Sequence, residues 1–197
     1  MLYAARFPEK VAAYVGTGQI GDMPASDLSS YAFVLAEAER RNNRKALEEL
    51  RAIGAPPHTS KTILVLPKWY IRFEGIVRGM SLWTFLRIVL SGPEASIFDL
   101  PNIVRGQLFS ADTMWTEVSA LNLVKAVPAL QMPVFFFLGR HDHMVVAETS
   151  VAYFDRLTAP SKRLVWFEES AHDPPVEEPA KFNGAMAELV RPAVRSS

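Results

Sequence analysis

The sequence predicts an α/β chain with three parallel strands, helices flanking them, and a long helical insertion after the first strand. Three observations predict it. Apolar runs of strand length occur at Val11–Val15, Pro133–Leu138 and Lys162–Phe167. The last two are joined through a helical pattern, as in a βαβ unit with a right-handed crossover. Residues 20–130 carry no convincing alternating strand and read as helix and turn throughout.

Met1–Phe7 has the pattern of an amphipathic helix stopped by Pro8. The first strand is expected over Lys10–Gly16, a short apolar run closed by Gly16-Thr17-Gly18, which suits a strand buried on both faces. An αα-hairpin follows. Ser26 or Asp27 caps its first helix, with Leu28, Tyr31 and Leu35 at helical spacing. Asn42-Asn43 breaks that helix, and a second one carries Leu47, Leu50 and Ile53 up to a stop at Gly54. Glu37 and Arg41 stand four apart on the solvated face. Helices are then expected around Leu64–Val77 and Leu82–Leu90, with turn signals at Pro56-Pro57, Ser91-Gly92-Pro93 and Pro101.

The last third changes character. Pro133–Gly139 is a strand of high β-propensity, Ala147, Val151 and Phe154 mark a helix, and Lys162–Phe167 is the next strand. Pro179 opens a closing helix with Phe182, Met186 and Leu189 on one face, which Pro192 is expected to end.

Composition sets the functional limits. The 197 residues suffice for one globular domain, and 49% hydrophobic content is too high for disorder. Lys+Arg and Asp+Glu balance at 21 each, which argues against a nucleic-acid or anionic-membrane partner. The absence of Cys removes disulfides, zinc-thiolate sites and a cysteine nucleophile. No apolar run approaches the length of a membrane span and no signal-peptide pattern is visible, so a cytoplasmic protein is expected.

Chemistry in open α/β sheets gathers beyond the C-terminal ends of the strands. Two such ends carry suggestive groups: Gly139-Arg140-His141-Asp142-His143, and Glu168-Glu169-Ser170-Ala171-His172-Asp173-Pro174. Asp142 and His172 fit an acid–imidazole pair in which the carboxylate fixes one tautomer and stabilises the charged ring. Gln19, after the first strand, and Glu169 are candidates to line a substrate pocket. Glu168 and Glu169 read as solvating a strand end. His141, His143 and His172 are the nearest approach to a metal cluster, but three or four converging ligands are the rule, so no metal is expected. His58 reads as a loop residue, and Ser170 lies too close along its loop to His172 to serve as a nucleophile.

These segments have a family likeness. Leu138-Gly139-Arg140-His141-Asp142, Trp166 to His172 and Glu178-Pro179 resemble the C-terminal part of the α/β-hydrolase superfamily, and within it the proline-iminopeptidase-like branch. Phe7-Pro8-Glu9-Lys10-Val11 and Tyr14 to Gln19 resemble the family's segment just after the nucleophile helix. The resemblance implies a partial α/β-hydrolase fold, with core residues 1–19 and 130–197 and a helical cap over 20–129. It makes Asp142 the triad acid and His172 the general base, with no cofactor. For Glu168 and Glu169, the likeness to peptidases implies an anionic site for a substrate amine as the alternative to solvating a strand end. The family's Ser sits in a Gly-x-Ser-x-Gly elbow upstream of the matching segment, and this chain has none. The nearest approach, Gly79-Met80-Ser81-Leu82-Trp83, lacks the second Gly.

The implied function is hydrolysis of an ester or small-peptide bond, with the nucleophile absent from this chain. The competing expectation is a non-catalytic remnant that binds small apolar molecules or a partner. A third keeps the fold with an Asp nucleophile, as in relatives that cleave epoxides or carbon–halogen bonds. In the family's strand order the first strand would pair with the missing nucleophile strand. It would therefore present an apolar edge, favouring self-association or a partner chain.

Overall fold

The computed structural model describes residues 1–59, 62, 65–79, 83, 87 and 97–195. Among these residues the sheet has three strands, β1 (Tyr14–Thr17), β2 (Val134–Gly139) and β3 (Lys162–Phe167), in the order β1-β2-β3. Both pairings are parallel, with Tyr14 opposite Val134, and Val134 opposite Lys162. The expected fold class is therefore observed.

Strand β2 explains the sheet's position. All six of its residues are buried, so its side chains serve both faces with a period of two. Val134, Phe136 and Leu138 pack with Ala4, Leu123, Val127, Met132, Tyr153 and Leu157. Phe135 and Phe137 pack on the opposite face with Phe167 and Val190, bordered by Phe182, Met186 and Leu189. Each such large side chain, taken from water to full burial, stabilises the fold by roughly 1.5–3 kcal/mol.

The covering helices follow. Helix α1 (Leu2–Arg6) sends Ala4 to the first face. The expected strand start at Lys10 is corrected: Pro8–Lys10 form a 3₁₀ turn, and β1 begins where the Tyr14 amide donates to Pro133. In the helical insertion, α2 (Met23–Arg40) is capped by Asp22, whose carboxylate accepts the Ala25 amide at 3.1 Å, and not by Ser26 or Asp27. Ser26 and Asp27 lie within the helix instead, where Ser26 accepts the Val146 amide and Asp27 meets His58. Leu28, expected on the apolar face, is 56% exposed; that face is Tyr31, Val34 and Ala38. Helix α3 (Arg44–Ile53) is capped by Asn43 and ends at Gly54, which has φ +71°. Arg41 and Glu37 pair at 2.8 Å.

Helix α4 (Val65–Arg72) is shorter than expected, and Leu64 lies outside the described residues. It ends in a Schellman turn: the Gly75 amide reaches Tyr70 O, the Glu74 amide reaches Ile71 O, and Glu74 takes φ +61°. The expected helix over Leu82–Leu90 and the turn at Ser91-Gly92-Pro93 lie outside the described residues. Pro101 marks no turn. It sits in the first turn of α5 (Leu100–Ser119), where a missing N–H costs nothing.

Helix α6 (Leu123–Ala126) returns the chain to the sheet, and Leu123 and Val127 join its core. The crossover between β2 and β3 is α7 (Ala147–Arg156). After α8 (Pro174–Glu177), the closing helix starts at Pro179 as α9 (Pro179–Ala185) but does not end at Pro192. It widens into a π turn at Met186–Val190 and resumes as α10 (Arg191–Arg195). The wider turn relieves the clash between a proline ring and the carbonyl four residues back. Among the described residues no helix is long and apolar enough to cross a membrane.

Candidate active site

Strands β2 and β3 end side by side, Gly139 opposite Phe167, so their following loops start in contact. The Arg140 amide donates to Phe167 O and the His141 amide to Ser170 O, at 2.9 and 3.0 Å. Gly139 permits this approach: a Cβ there would lie 1.7 Å from the Ala171 carbonyl oxygen.

Asp142 is 4% exposed. Its Oδ1 accepts the amides of Met144 and Val145 at 3.0 and 2.9 Å, and its Oδ2 lies 2.8 Å from His172 Nδ1. Two backbone donors thus fix the carboxylate while its other oxygen is left for the ring. The His172 side chain is about a quarter exposed. Burial by itself would lower its pKa, but the hydrogen bond and charge of Asp142, helped by Asp173 and Glu177, raise it above the ordinary value. Gly18, at φ +52° just past β1, lies against the same ring, and a Cβ there would stand 2.3 Å from Cε1. The ends of all three strands therefore meet at His172.

The remaining predicted residues fall elsewhere. Gln19 lines a cavity of about 430 Å³ with Tyr14, Thr17 and Gly18, but its amide is engaged internally by the Tyr14 hydroxyl and Ile20 O. Glu169 is largely exposed and pairs with Arg78 at 3.3 Å. Glu168 holds Arg140 through two bonds of 2.8 Å, with that guanidinium over the Trp166 ring. His143 stacks on Phe33 at 3.7 Å, and burial lowers its pKa. Among the described residues no three metal-binding groups converge. Ser170 donates to Glu178 at 2.7 Å.

Two groups escaped the sequence reading. His58 is not a plain loop residue: it is buried, with Nδ1 3.1 Å from the Asp27 carboxylate and Nε2 3.1 Å from Gly54 O. Nothing along the sequence links positions 27 and 58. Glu177 accepts the amides of Ala171 and Asp173, on either side of His172. The only signal was a carboxylate five residues after the histidine.

No family model matches the chain. A probable aminopeptidase of Bacillus subtilis (strain 168) is 27% identical over 187 residues, covering 93% of this chain and 59% of that protein. The crystal structure of proline iminopeptidase from Mycobacterium smegmatis superposes with a TM-score of 0.62 at 16% identity, covering 98% of this chain and 61% of that one. An alpha/beta fold family hydrolase from Bacillus anthracis str. Sterne gives a TM-score of 0.52 at 16% identity, covering 93% of this chain and 60% of that one. The chain spans about three fifths of the length of each. Over that span, its fold is that of the α/β hydrolases.

Proposed function

We propose that this chain supplies the acid, the base and the helical cap of a serine-type hydrolase of ester or small-peptide bonds. The observation that carries the reading is the 2.8 Å contact between Asp142 Oδ2 and His172 Nδ1. With Nδ1–H donated to the carboxylate, Nε2 is the basic nitrogen. It takes the proton of an attacking hydroxyl as the carbonyl carbon becomes tetrahedral, then returns it to the leaving group as the C–O or C–N bond breaks. Asp142 keeps the tautomer and offsets the charge on the ring.

In this reading the nucleophile is absent from this chain, whose sequence holds no Gly-x-Ser-x-Gly. Among the buried serines, Ser30, Ser150 and Ser170 have committed hydroxyls, which donate to Met144 O, Gln19 O and Glu178, while Ser26 Oγ accepts the Val146 amide. The Gly79–Trp83 approach to an elbow falls on Met80, Ser81 and Leu82, outside the described residues. Those committed hydroxyls also favour a second reading, a non-catalytic module that binds a ligand or partner.

Fluorophosphonate labelling, mapped by mass spectrometry, separates the readings. The folded chain alone is expected to stay unlabelled. Joined behind a hydrolase segment bearing Gly-x-Ser-x-Gly, it is expected to label at that Ser, and His172→Ala to slow labelling by about 10⁶-fold. Labelling indifferent to His172→Ala would overturn the role of the base. No labelling in either sample favours the non-catalytic module.

We also propose that β1, which pairs only with β2 among the described residues, meets another chain or a second copy along its open edge. Leu2 and Tyr3 beside that edge are 53% and 57% exposed. Light scattering should find species larger than the monomer, and a monodisperse monomer counts against the edge as a contact.

A further inference from the structure

The loop bearing His172 is held more tightly than an acid–base pair requires. Three successive amides are taken: Ala171 and Asp173 donate to Glu177 Oε2 at 2.9 and 3.1 Å, and His172 itself donates to Ile76 O at 2.8 Å. Ile76 belongs to the insertion, in the strap Gly75–Arg78 that follows the Schellman turn of α4. The other oxygen of Glu177 accepts the Arg78 amide at 2.8 Å, so one carboxylate joins the strap to both neighbours of His172. The strap also touches the acid's loop, since the His143 amide donates to Gly75 O at 3.1 Å. Glu178 does a different task one residue on, accepting the Glu169 amide and the Ser170 hydroxyl.

We propose that Glu177 is a positioning residue for His172, fixing it through the two flanking amides and coupling its placement to the Gly75–Arg78 strap of the insertion. A carboxylate suits this task because both oxygens only accept, and three N–H groups converge on them. A glutamine would turn an NH₂ toward one set of donors, either Arg78 or the pair flanking His172. The strap would then loosen from the loop, and the ring's alignment with Asp142 would loosen with it. Its negative charge near the imidazole acts in the same direction.

The proposal rests on His172 as the base, but its test reads the imidazole in the full chain without turnover. Its failure is therefore separate from a failure of the labelling experiment. In Glu177→Gln, NMR titration should place the His172 midpoint lower than in the wild type, with loss of the downfield Nδ1–H signal. Exchange of the Ala171, His172 and Asp173 amides should quicken by about tenfold or more. Glu178→Gln should leave the midpoint in place. A folded Glu177→Gln with an unchanged midpoint and Nδ1–H signal overturns the proposal, as do equal shifts in both variants. Should Glu177→Gln not fold, the wild type carries the test. The amides of Arg78, Ala171 and Asp173 must share one slow exchange with solvent, and unprotected exchange at any of them overturns it.

Discussion

Alanine at position 139 is expected to destabilise the chain by about 3 kcal/mol or more, because no side chain can move to make room for it. The added Cβ would stand 1.7 Å from Ala171 O and 2.7 Å from both Ala171 C and Ser170 O, all of them backbone atoms. The loop after β3 would have to retreat from the end of β2. That retreat breaks the bond from the His141 amide to Ser170 O and parts Asp142 from His172. Overpacking alone costs roughly 1–3 kcal/mol, and each lost hydrogen bond adds about 0.5–1.5 kcal/mol. Urea unfolding measures the sum, and a loss under about 1 kcal/mol would contradict the packing described. Gly106 and Gly184 provide the contrast. Both are helical with nothing within 4 Å of a new Cβ, so alanine there should stabilise by up to about 1 kcal/mol.

Asp142→Asn should produce a loss of stability that depends on pH. Its carbonyl can still accept the Met144 and Val145 amides, but its NH₂ then faces His172 Nδ1. The folded-state pKa of His172 is raised, so the stability that the pair contributes is fully present below the unfolded value of about 6.5. It disappears as pH rises through the raised folded value. The substitution should therefore cost roughly 3 kcal/mol near pH 5.5 and clearly less at pH 9. Urea unfolding at the two pH values tests this, and an equal cost at both would mean that the pair does not bind the extra proton. In the protein joined to an elbow segment, the same change should slow labelling by about 10⁴-fold, since the ring would be held in the wrong tautomer.

The parts legible in the sequence are those set by burial and topology. Val134–Leu138 stands out because both faces of β2 are covered, leaving no polar position in the run. Asp142 and His172 could be paired across 30 residues because adjacent parallel strands deliver their following loops to one place. What escaped depends on partners remote in sequence or on backbone groups. The side chains at 22, 26 and 27 can all cap a helix; the packing of Ser26 against Val146 and of Asp27 against His58 leaves the role to Asp22. Glu74 ends α4 in a conformation where glycine is usual, and the Gly of this stretch stands one position later, so the stop is misplaced in the sequence. Pro192 normally stops a helix, and only the π turn before it lets this one continue. Glu177 drew no reading because its partners are amide groups, which every sequence position except proline possesses.

The insertion closes on itself at its root. Asp22 and Asn122 form an antiparallel bridge; the Met23 amide reaches Leu121 O, the Leu123 amide reaches Gly21 O, and Asn122 Nδ2 donates to Asp22 at 2.6 Å. Whatever lies between enters and leaves the sheet at one clasp. Closing a chain segment costs only about 0.6 kcal/mol more for each doubling of its length, so the clasp itself sets little limit on the length of what it encloses. Lineages could lengthen, shorten or replace residues 23–121 while β1 and β2 keep their register. Under the role proposed for Glu177, the constraint on such exchange is local: a strap like Gly75–Arg78 has to stay against the His172 loop.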